Sequence, residues 1–279
     1  MSDELHLTAP SGAVDIPVLE LEAGLRARRD RGGKCLVPYL TGGLFGDEEG
    51  DWVDVVRSVA MSGADGIEVG IPFSDPVMDG PVIQRASDLA LAAGANPPAI
   101  LERLAGADAG VPLAVMTYVN LVYRYGYERF AAALRSSGVS AAILPDVPLE
   151  ESGPWCSAAD AAGVETVMLA APTASDERLG QIVERAHGFV YAVGLMGVTG
   201  ERDALSSSAR VIARRLKSLT DRPVLVGVGV STPQQAVEIC EVADGVVVGS
   251  ALVRTVLETR SADAVADLVG SFRAALDRG

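Results

Sequence analysis

Gly66-Ile67-Glu68-Val69-Gly70-Ile71-Pro72-Phe73 is an apolar segment with one acidic residue inside it. Ile67, Val69 and Ile71 alternate as one buried face of a β-strand, which places Glu68 and Gly70 on the opposite face. Burial of a carboxylate is costly unless another group satisfies it or the protein uses it. The segment therefore predicts a strand that carries Glu68 into a functional cavity.

The loop that follows this strand carries a second isolated acid. Two prolines, Pro72 and Pro76, stiffen the loop, and Asp79 lies just before Gly80 and Pro81. A Glu on a strand end and an Asp on the next loop can approach one cavity from two sides, as acid/base chemistry requires. The alternative is that Asp79 only shapes the turn.

Seven further apolar runs resemble this strand in length. All are rich in Val, Ile, Leu and Ala, which is typical of parallel strands buried on both faces. The eight predicted strands are residues 35–40, 66–69, 112–117, 141–144, 165–169, 189–193, 224–228 and 245–248. Eight β-then-α repeats over about 250 residues favour a (β/α)8 TIM barrel in the α/β class, with a doubly wound sheet as the alternative.

Amphipathic stretches between the strands predict helices. Those with the clearest pattern are residues 52–62, 128–137, 176–185, 206–219 and 232–241. An extra helix over residues 18–29 precedes the first strand and is placed to close the bottom of the barrel. No low-complexity linker interrupts the repeats, so residues 1–279 are expected to form a single domain.

Composition argues against several classes of function. A net charge of -14 disfavours nucleic acid and anionic membranes as partners. Cys35, Cys156 and Cys240 lack metal-type spacing and indicate reduced thiols, and His6 and His187 form no metal cluster. No apolar stretch approaches the length of a membrane helix, and the first residues do not resemble a signal peptide, so we expect a cytoplasmic protein.

Small-residue turns in the last third of the chain predict a phosphate site. The three turns are Gly197-Val198-Thr199-Gly200, Gly227-Val228-Gly229-Val230-Ser231 and Gly245-Val246-Val247-Val248-Gly249-Ser250-Ala251. Barrels often bind phosphate after strands seven and eight, at the N-terminus of a short extra helix. Gly249 and Ser250 open such a helix, predicted over residues 251–259. The alternative is that the glycines only make tight strand ends.

The motifs around Glu68 resemble those of the tryptophan synthase alpha chain family. The resemblance begins with Glu68-Val69-Gly70-Ile71-Pro72-Phe73-Ser74-Asp75-Pro76, followed by Asp79-Gly80-Pro81 and Ile83-Gln84. It extends over nearly the whole chain through residues 38–43, 116–120, 146–151 and 197–200. The combination of the Pro-Phe-Ser-Asp-Pro loop with the Gly-Val-Thr-Gly loop is specific to that family.

The resemblance implies a reaction and a partner. The reaction is retro-aldol cleavage of indole-3-glycerol phosphate to indole and D-glyceraldehyde 3-phosphate, in tryptophan biosynthesis. The partner is a beta chain that contains pyridoxal phosphate (PLP), in an α2β2 heterotetramer that channels indole between the subunits. The resemblance implies no metal or organic cofactor in the alpha chain itself.

Residue roles follow from the same resemblance. Glu68 shuttles a proton between indole C3 and the adjacent hydroxyl, and Asp79 accepts a hydrogen bond from the indole N–H. Tyr191 assists near the substrate hydroxyl or holds Asp79 in place, and Thr199 closes a lid by pairing with Asp79. The other implied substrate-binding residues are Tyr39, Ile83, Tyr118 and Ile143 around the indole, and Gly200, Gly229, Gly249 and Ser250 at the phosphate.

The chain departs from the family pattern at a few positions, and other functions compete. Met78 replaces a small residue before Asp79, Gly194-Leu195-Met196 alters the sixth loop, and Leu44 and Phe45 look exposed after strand one. The competing readings are a free-standing indole-releasing lyase, another phosphate-binding barrel and a regulatory subunit without catalysis. Retention of both Glu68 and Asp79 argues against the last of these.

Overall fold

The computed structural model describes residues 20–44, 51–194, 202–227 and 229–279, including their side chains except those of residues 202–207. Eight parallel strands follow one another around a closed barrel, and β8 pairs with β1. The strands are β1 Cys35–Thr41, β2 Ile67–Gly70, β3 Leu113–Met116, β4 Val139–Ile143, β5 Glu165–Ala170, β6 Val190–Ala192, β7 Val224–Val226 and β8 Gly245–Val248. The predicted TIM barrel is confirmed.

Alternation along β2 separates two environments. Ile67 and Val69 are fully buried in the layer between the strands and the surrounding helices. Glu68 lies on the opposite face, inside the barrel, where it is aligned with Tyr39 of β1 and Ala114 of β3. The two-residue period of the strand thus places a single acidic side chain in the barrel interior.

Most strand bounds agree with the sequence to within two residues, and β4 shows why they differ. It begins at Val139, two residues before the predicted start, because the β3–β4 register shifts. Leu113 is aligned with Val139 but Ala114 with Ala141, so Ser140 is an extra residue. Its hydroxyl donates a hydrogen bond to the Leu113 carbonyl oxygen at 3.3 Å. Such a bulge leaves no signal in hydrophobic periodicity.

The helices of the described residues surround the barrel, except for α1, which lies at its N-terminal end. They are α1 Leu21–Asp30, α2 Trp52–Met61, α3 Pro81–Ala92, α4 Pro97–Ala105, α5 Val119–Tyr125, α6 Tyr127–Ser136, α7 Gly153–Ala162, α8 Asp176–Arg185, α9 Arg202–Leu219, α10 Pro233–Cys240, α11 Ser250–Thr259 and α12 Ala262–Leu276. Two helices follow β8, so α11 is the predicted extra helix. None of the helices within the described ranges is long and apolar enough to cross a membrane.

Helix α1 covers the N-terminal end of the barrel, as predicted from its position before β1. Leu21 and Leu25 are fully buried and belong to the cluster that fills the barrel interior. The Glu165 carboxylate at the start of β5 accepts hydrogen bonds from the backbone N–H groups of Leu21 at 2.8 Å and Glu22 at 2.9 Å. These bonds satisfy donors that the first turn of a helix leaves free.

Side chains from several strands fill the barrel interior. Small and aliphatic residues such as Ala114, Ala141, Val167 and Leu225 fill the centre of the barrel and are almost completely buried. The same cluster contains Tyr39 and Tyr191. Because the centre of the barrel is filled, a ligand has to enter from the carboxyl ends of the strands.

Candidate active site at the carboxyl ends of the strands

Glu68 is a buried acid without a partner. Its side chain is 1% exposed, and within the described part of the chain neither carboxyl oxygen has a hydrogen-bond partner. Burial, with a smaller contribution from the charge of Asp79, raises the pKa of Glu68 to about 8. An unsatisfied buried carboxyl is costly for folding, and groups of this kind are typical of functional sites.

Asp79 approaches from the loop between β2 and α3. The Asp79 N–H donates to the Pro76 carbonyl oxygen at 3.0 Å, and the Gln84 side-chain amide donates to the Asp79 carbonyl oxygen at 2.8 Å. These bonds fix the backbone of Asp79 without using its carboxylate. Burial raises the pKa of the Asp79 carboxyl to about 6, although a hydrogen bond with Tyr118 opposes the rise.

Tyr118 joins this loop to the end of β3. Its hydroxyl accepts a hydrogen bond from the Met78 N–H at 3.0 Å, at the residue directly before Asp79. Its ring packs on Phe73, with the ring centres 5.1 Å apart. Tyr118 therefore holds the backbone of the loop that carries Asp79.

Two further tyrosines fill the interior beside Glu68. The Tyr39 hydroxyl lies against Gly70 and the Tyr191 hydroxyl lies against Gly227, so closely that a Cβ on either glycine would overlap the phenol. Burial raises the pKa of both phenols, and the negative charges of Glu68 and Asp79 add to the shift. Both hydroxyls are therefore neutral and able to donate hydrogen bonds at neutral pH.

The apolar residues predicted for the pocket also lie in the barrel interior. Ile83 on α3 and Ile143 on β4 are buried in the same cluster as Tyr39 and Tyr191. Sequence reasoning missed the roles of Gly70 and Gly227 as clearance for the tyrosines. A small residue on the same strand face as Glu68 was the available signal for Gly70.

The N-terminus of α11 is open, as a phosphate site requires. No side chain caps it; Gly249 precedes its first residue, Ser250, which is exposed. The neighbouring α10, in contrast, has a capping box in which Thr232 and Gln235 satisfy its first N–H groups. Gly229, in the loop before α10, has φ +88°, a conformation that favours glycine. Thr199 and Gly200 lie outside the described residues.

Two expectations about departures from the family pattern can be compared with the structure. Met78, which was expected to crowd the loop before Asp79, is 57% exposed, so much of its side chain lies at the surface. Leu44 was expected to be exposed, but it is partly buried against the core. That expectation is wrong because Leu44 packs against the hydrophobic core. Phe45, Leu195 and Met196 lie outside the described residues.

The sequence matches the model of a known protein family. The family model described as tryptophan synthase alpha chain matches residues 25–274. The chain belongs to this family. Alpha chains of tryptophan synthase are carbon–carbon lyases that cleave indole-3-glycerol phosphate to indole and glyceraldehyde 3-phosphate, and this chain is an enzyme of that kind.

Individual alpha chains agree with this assignment over almost their full length. The tryptophan synthase alpha chain of Thermobifida fusca is 43% identical over 263 residues, which cover 93% of this chain and 97% of that one. That of Streptomyces coelicolor is 43% identical and covers 91% and 94%. A solved structure of Mycobacterium tuberculosis tryptophan synthase has a TM-score of 0.85 at 37% identity and covers 94% and 100%.

Clusters of metal-binding side chains are relevant to the chemistry of this site. Within the described residues, no group of three or more His, Cys, Asp or Glu side chains is placed to hold a metal ion. The groups available for chemistry in this cavity are two carboxyls, three phenols and an open helix N-terminus.

Proposed function

We propose that Glu68 and Asp79 carry out the retro-aldol cleavage of indole-3-glycerol phosphate in this chain. The observation that supports it is the different pKa values of two carboxyls at one cavity, about 8 for Glu68 and about 6 for Asp79. At neutral pH, Glu68 holds a proton and Asp79 is mostly ionised. One group is ready to donate a proton and the other to stabilise positive charge.

In the first step, Glu68 donates its proton to C3 of the indole ring. The ring then carries positive charge at its N–H. The Asp79 carboxylate accepts a hydrogen bond from that N–H and stabilises the charge as it develops. Because Glu68 is buried and Asp79 is partly buried, this electrostatic contribution is larger than it would be in solution.

In the second step, the Glu68 carboxylate takes the proton from the hydroxyl on the carbon attached to C3. The bond between that carbon and C3 breaks, and its electron pair returns to the ring. Indole leaves with hydrogen on C3, and the other fragment becomes the aldehyde of glyceraldehyde 3-phosphate. Glu68 is protonated again, so the cycle needs no external acid or base.

The remaining pocket residues orient the substrate. The Tyr191 phenol, whose pKa is raised mainly by burial, is placed to donate a hydrogen bond near the substrate hydroxyl. Tyr39, Ile83, Tyr118 and Ile143 form walls for the indole ring. Of these, Tyr118 also contacts Asp79.

The phosphate binds at the start of α11. The free N–H groups of its first turn, the helix dipole and the Ser250 hydroxyl are suited to an anion, and Gly249 and Gly229 allow its close approach. Such a site needs no Lys or Arg, which is compatible with the acidic composition. Gly200 and Thr199 complete the prediction as a phosphate contact and a lid.

A beta chain that contains PLP is the proposed partner, in an α2β2 complex in the cytoplasm. The support is an apolar exposed surface beside the active-site loops, formed by Val77 at 81%, Met78 at 57% and Tyr123 at 70% exposure. Asp75 and Asn120 are exposed next to these residues and are suited to polar contacts. Exposed apolar clusters of this kind mark docking surfaces.

The deciding experiment is indole release from indole-3-glycerol phosphate by the wild-type chain, Glu68→Gln and Asp79→Asn, each with and without a beta chain. We expect release that rises with the partner in wild type and falls at least tenfold in both variants. Affinity for glycerol 3-phosphate should stay unchanged in Glu68→Gln. Turnover by Glu68→Gln within tenfold of wild type, about 1.4 kcal/mol of barrier, would refute its role.

The same experiment separates the competing functions. Fast release without a partner would indicate a free-standing lyase. Activation of the beta chain by an alpha chain that releases no indole would indicate a regulatory subunit.

A further inference from the structure

We propose that Tyr118 is a positioning residue for Asp79, and that Asp146 in turn positions Tyr118. This inference rests on the proposed role of Asp79 and adds a function to the Tyr118 hydroxyl, beyond that of its ring as a wall of the pocket. The three residues connect the loops that follow β2, β3 and β4.

The Tyr118 hydroxyl contacts the catalytic loop directly beside Asp79. It accepts the Met78 N–H at 3.0 Å, and its interaction with the Asp79 carboxyl lowers the pKa of that group. The hydroxyl has one proton and two lone pairs, so it can accept from the backbone and still have its proton available for the carboxylate. A single oxygen therefore fixes the loop backbone and is able to orient the neighbouring carboxylate.

Tyr118 is itself held from two sides. Its buried ring packs on Phe73, and the next residue, Val119, donates its N–H to both carboxyl oxygens of Asp146, at 3.0 and 3.2 Å. Tyr118 is the N-cap of α5, and its side chain does not cap that helix. Asp146, which comes from the loop after β4, supplies the missing acceptor.

The hydroxyl also affects the charge of Asp79. The titratable groups facing this carboxyl are Glu68 from β2, Tyr118 from the end of β3, Tyr39 from β1 and Tyr191 from β6. Burial raises the pKa of Asp79, and among these groups Tyr118 lowers it through the hydrogen bond. Loss of the hydroxyl should therefore raise the pKa of Asp79 further and reduce the ionised fraction at pH 7.

Tyr118→Phe tests the inference because it keeps the ring, and with it the wall and the contact with Phe73. We expect kcat to fall at least fivefold while KM changes less than twofold. The acid limb of the pH profile of kcat/KM should move to higher pH by at least half a unit. A wall role alone would leave both kcat and the acid limb unchanged in this variant.

Two further sets of variants support the comparison. Tyr125→Phe removes a hydroxyl from the same short helix, where the ring packs on Phe130, and should match wild type. Asp146→Ala should move kcat and the acid limb in the same direction as Tyr118→Phe. Asp146→Asn, which keeps an acceptor oxygen for Val119, should restore most of the activity.

A carboxyl ¹³C resonance, assigned by its loss in Asp79→Asn, gives a readout independent of turnover. It should titrate at higher pH in Tyr118→Phe than in wild type. Unchanged titration together with unchanged kcat would overturn the inference, as would equal losses in Tyr125→Phe. If Asp79→Asn retains full turnover, the proposed function fails instead, and the resonance still reports whether Tyr118 acts on Asp79.

Discussion

The hydroxyl of Tyr191 lies where a side chain at position 227 would begin. A Cβ on Gly227 would overlap the Tyr191 hydroxyl and two of its ring carbons. Tyr191 is on β6 and Gly227 directly follows β7, so the two meet inside the barrel across adjacent strands. The glycine is required because it leaves room for the phenol beside Glu68.

Gly227→Ala should therefore displace Tyr191. We expect at least a tenfold lower kcat for indole release and a stability loss of about 1–3 kcal/mol, the usual cost of overpacking a core. Gly180→Ala is the control, since a Cβ there meets no atom within 4 Å, and it should leave kcat unchanged. Equal kcat for Gly227→Ala and wild type would mean that the position of Tyr191 does not matter for turnover.

The pH dependence of turnover follows from the two acid groups. The proposed mechanism requires ionised Asp79, with a pKa of about 6, and protonated Glu68, with a pKa of about 8. The profile of kcat/KM should be bell-shaped, falling below about pH 6 and above about pH 8, because this ratio reports the free enzyme. A profile that stays flat from pH 7 to pH 10 would contradict the role of Glu68 as the initial proton donor.

Stability should depend on pH through Glu68 in the opposite sense to most carboxyls. Folding raises the pKa of Glu68 from 4.5 to about 8, so its contribution is fully present below pH 4.5 and is lost as pH rises through 8. Glu68→Gln should raise the free energy of unfolding at pH 7 by about 3 kcal/mol relative to wild type. The difference should be less than half as large at pH 5.

Denaturant unfolding at the two pH values measures this effect. Glu184→Gln, at an exposed position of α8, is the matched control and should change stability by less than about 0.5 kcal/mol at either pH. A Glu68→Gln chain that is no more stable than wild type at pH 7 would show that another group neutralises Glu68 in the folded protein.

Local patterns in the sequence were sufficient for the barrel and for its two acids. Alternation of apolar residues around Glu68 placed that residue in the interior, whereas the start of β4 was missed because the bulge at Ser140 leaves no signal in that pattern. The positions of Glu68 and Asp79 inside known motifs identified the family, which the comparison confirmed. Their roles in catalysis stay predictions.

Contacts between distant residues were not predictable in the same way. The sequence left open whether Tyr191 holds Asp79. The answer depends on the position of the loop after β2 relative to β3. Glu165 is 144 residues from Leu21, and nothing local to either residue indicates their hydrogen bond. Such bonds depend on strand register and helix placement, which arise only when the whole barrel closes.

Negative charge at the start of α11 should weaken phosphate binding. Ser250→Ala removes one donor and should raise KM severalfold, consistent with about 1 kcal/mol for one hydrogen bond, while Ser250→Asp should raise it much further. Ser261→Asp is the control, because Ser261 caps α12 through the Ala264 N–H and Asp caps equally well. Equal KM values for Ser250→Asp and Ser261→Asp would place the phosphate elsewhere.

The hydrogen bonds between Glu165 and α1 should hold that helix against the bottom of the barrel. Glu165→Ala leaves the Leu21 and Glu22 N–H groups without their acceptor, at a cost of about 1–3 kcal/mol, whereas Glu165→Gln keeps one acceptor oxygen and should cost less. Glu184→Ala, on the exposed face of α8, should be nearly neutral.

Hydrogen exchange distinguishes this anchoring from general destabilisation. The amides of Leu21 and Glu22 should lose protection in Glu165→Ala before the amides of the central strands do. Burial raises the pKa of Glu165 to about 7, so its contribution to stability should decline as pH rises through 7, and Glu165→Gln should lack that decline. If both amides keep their protection in Glu165→Ala, the burial of Leu21 and Leu25 alone holds α1 in place.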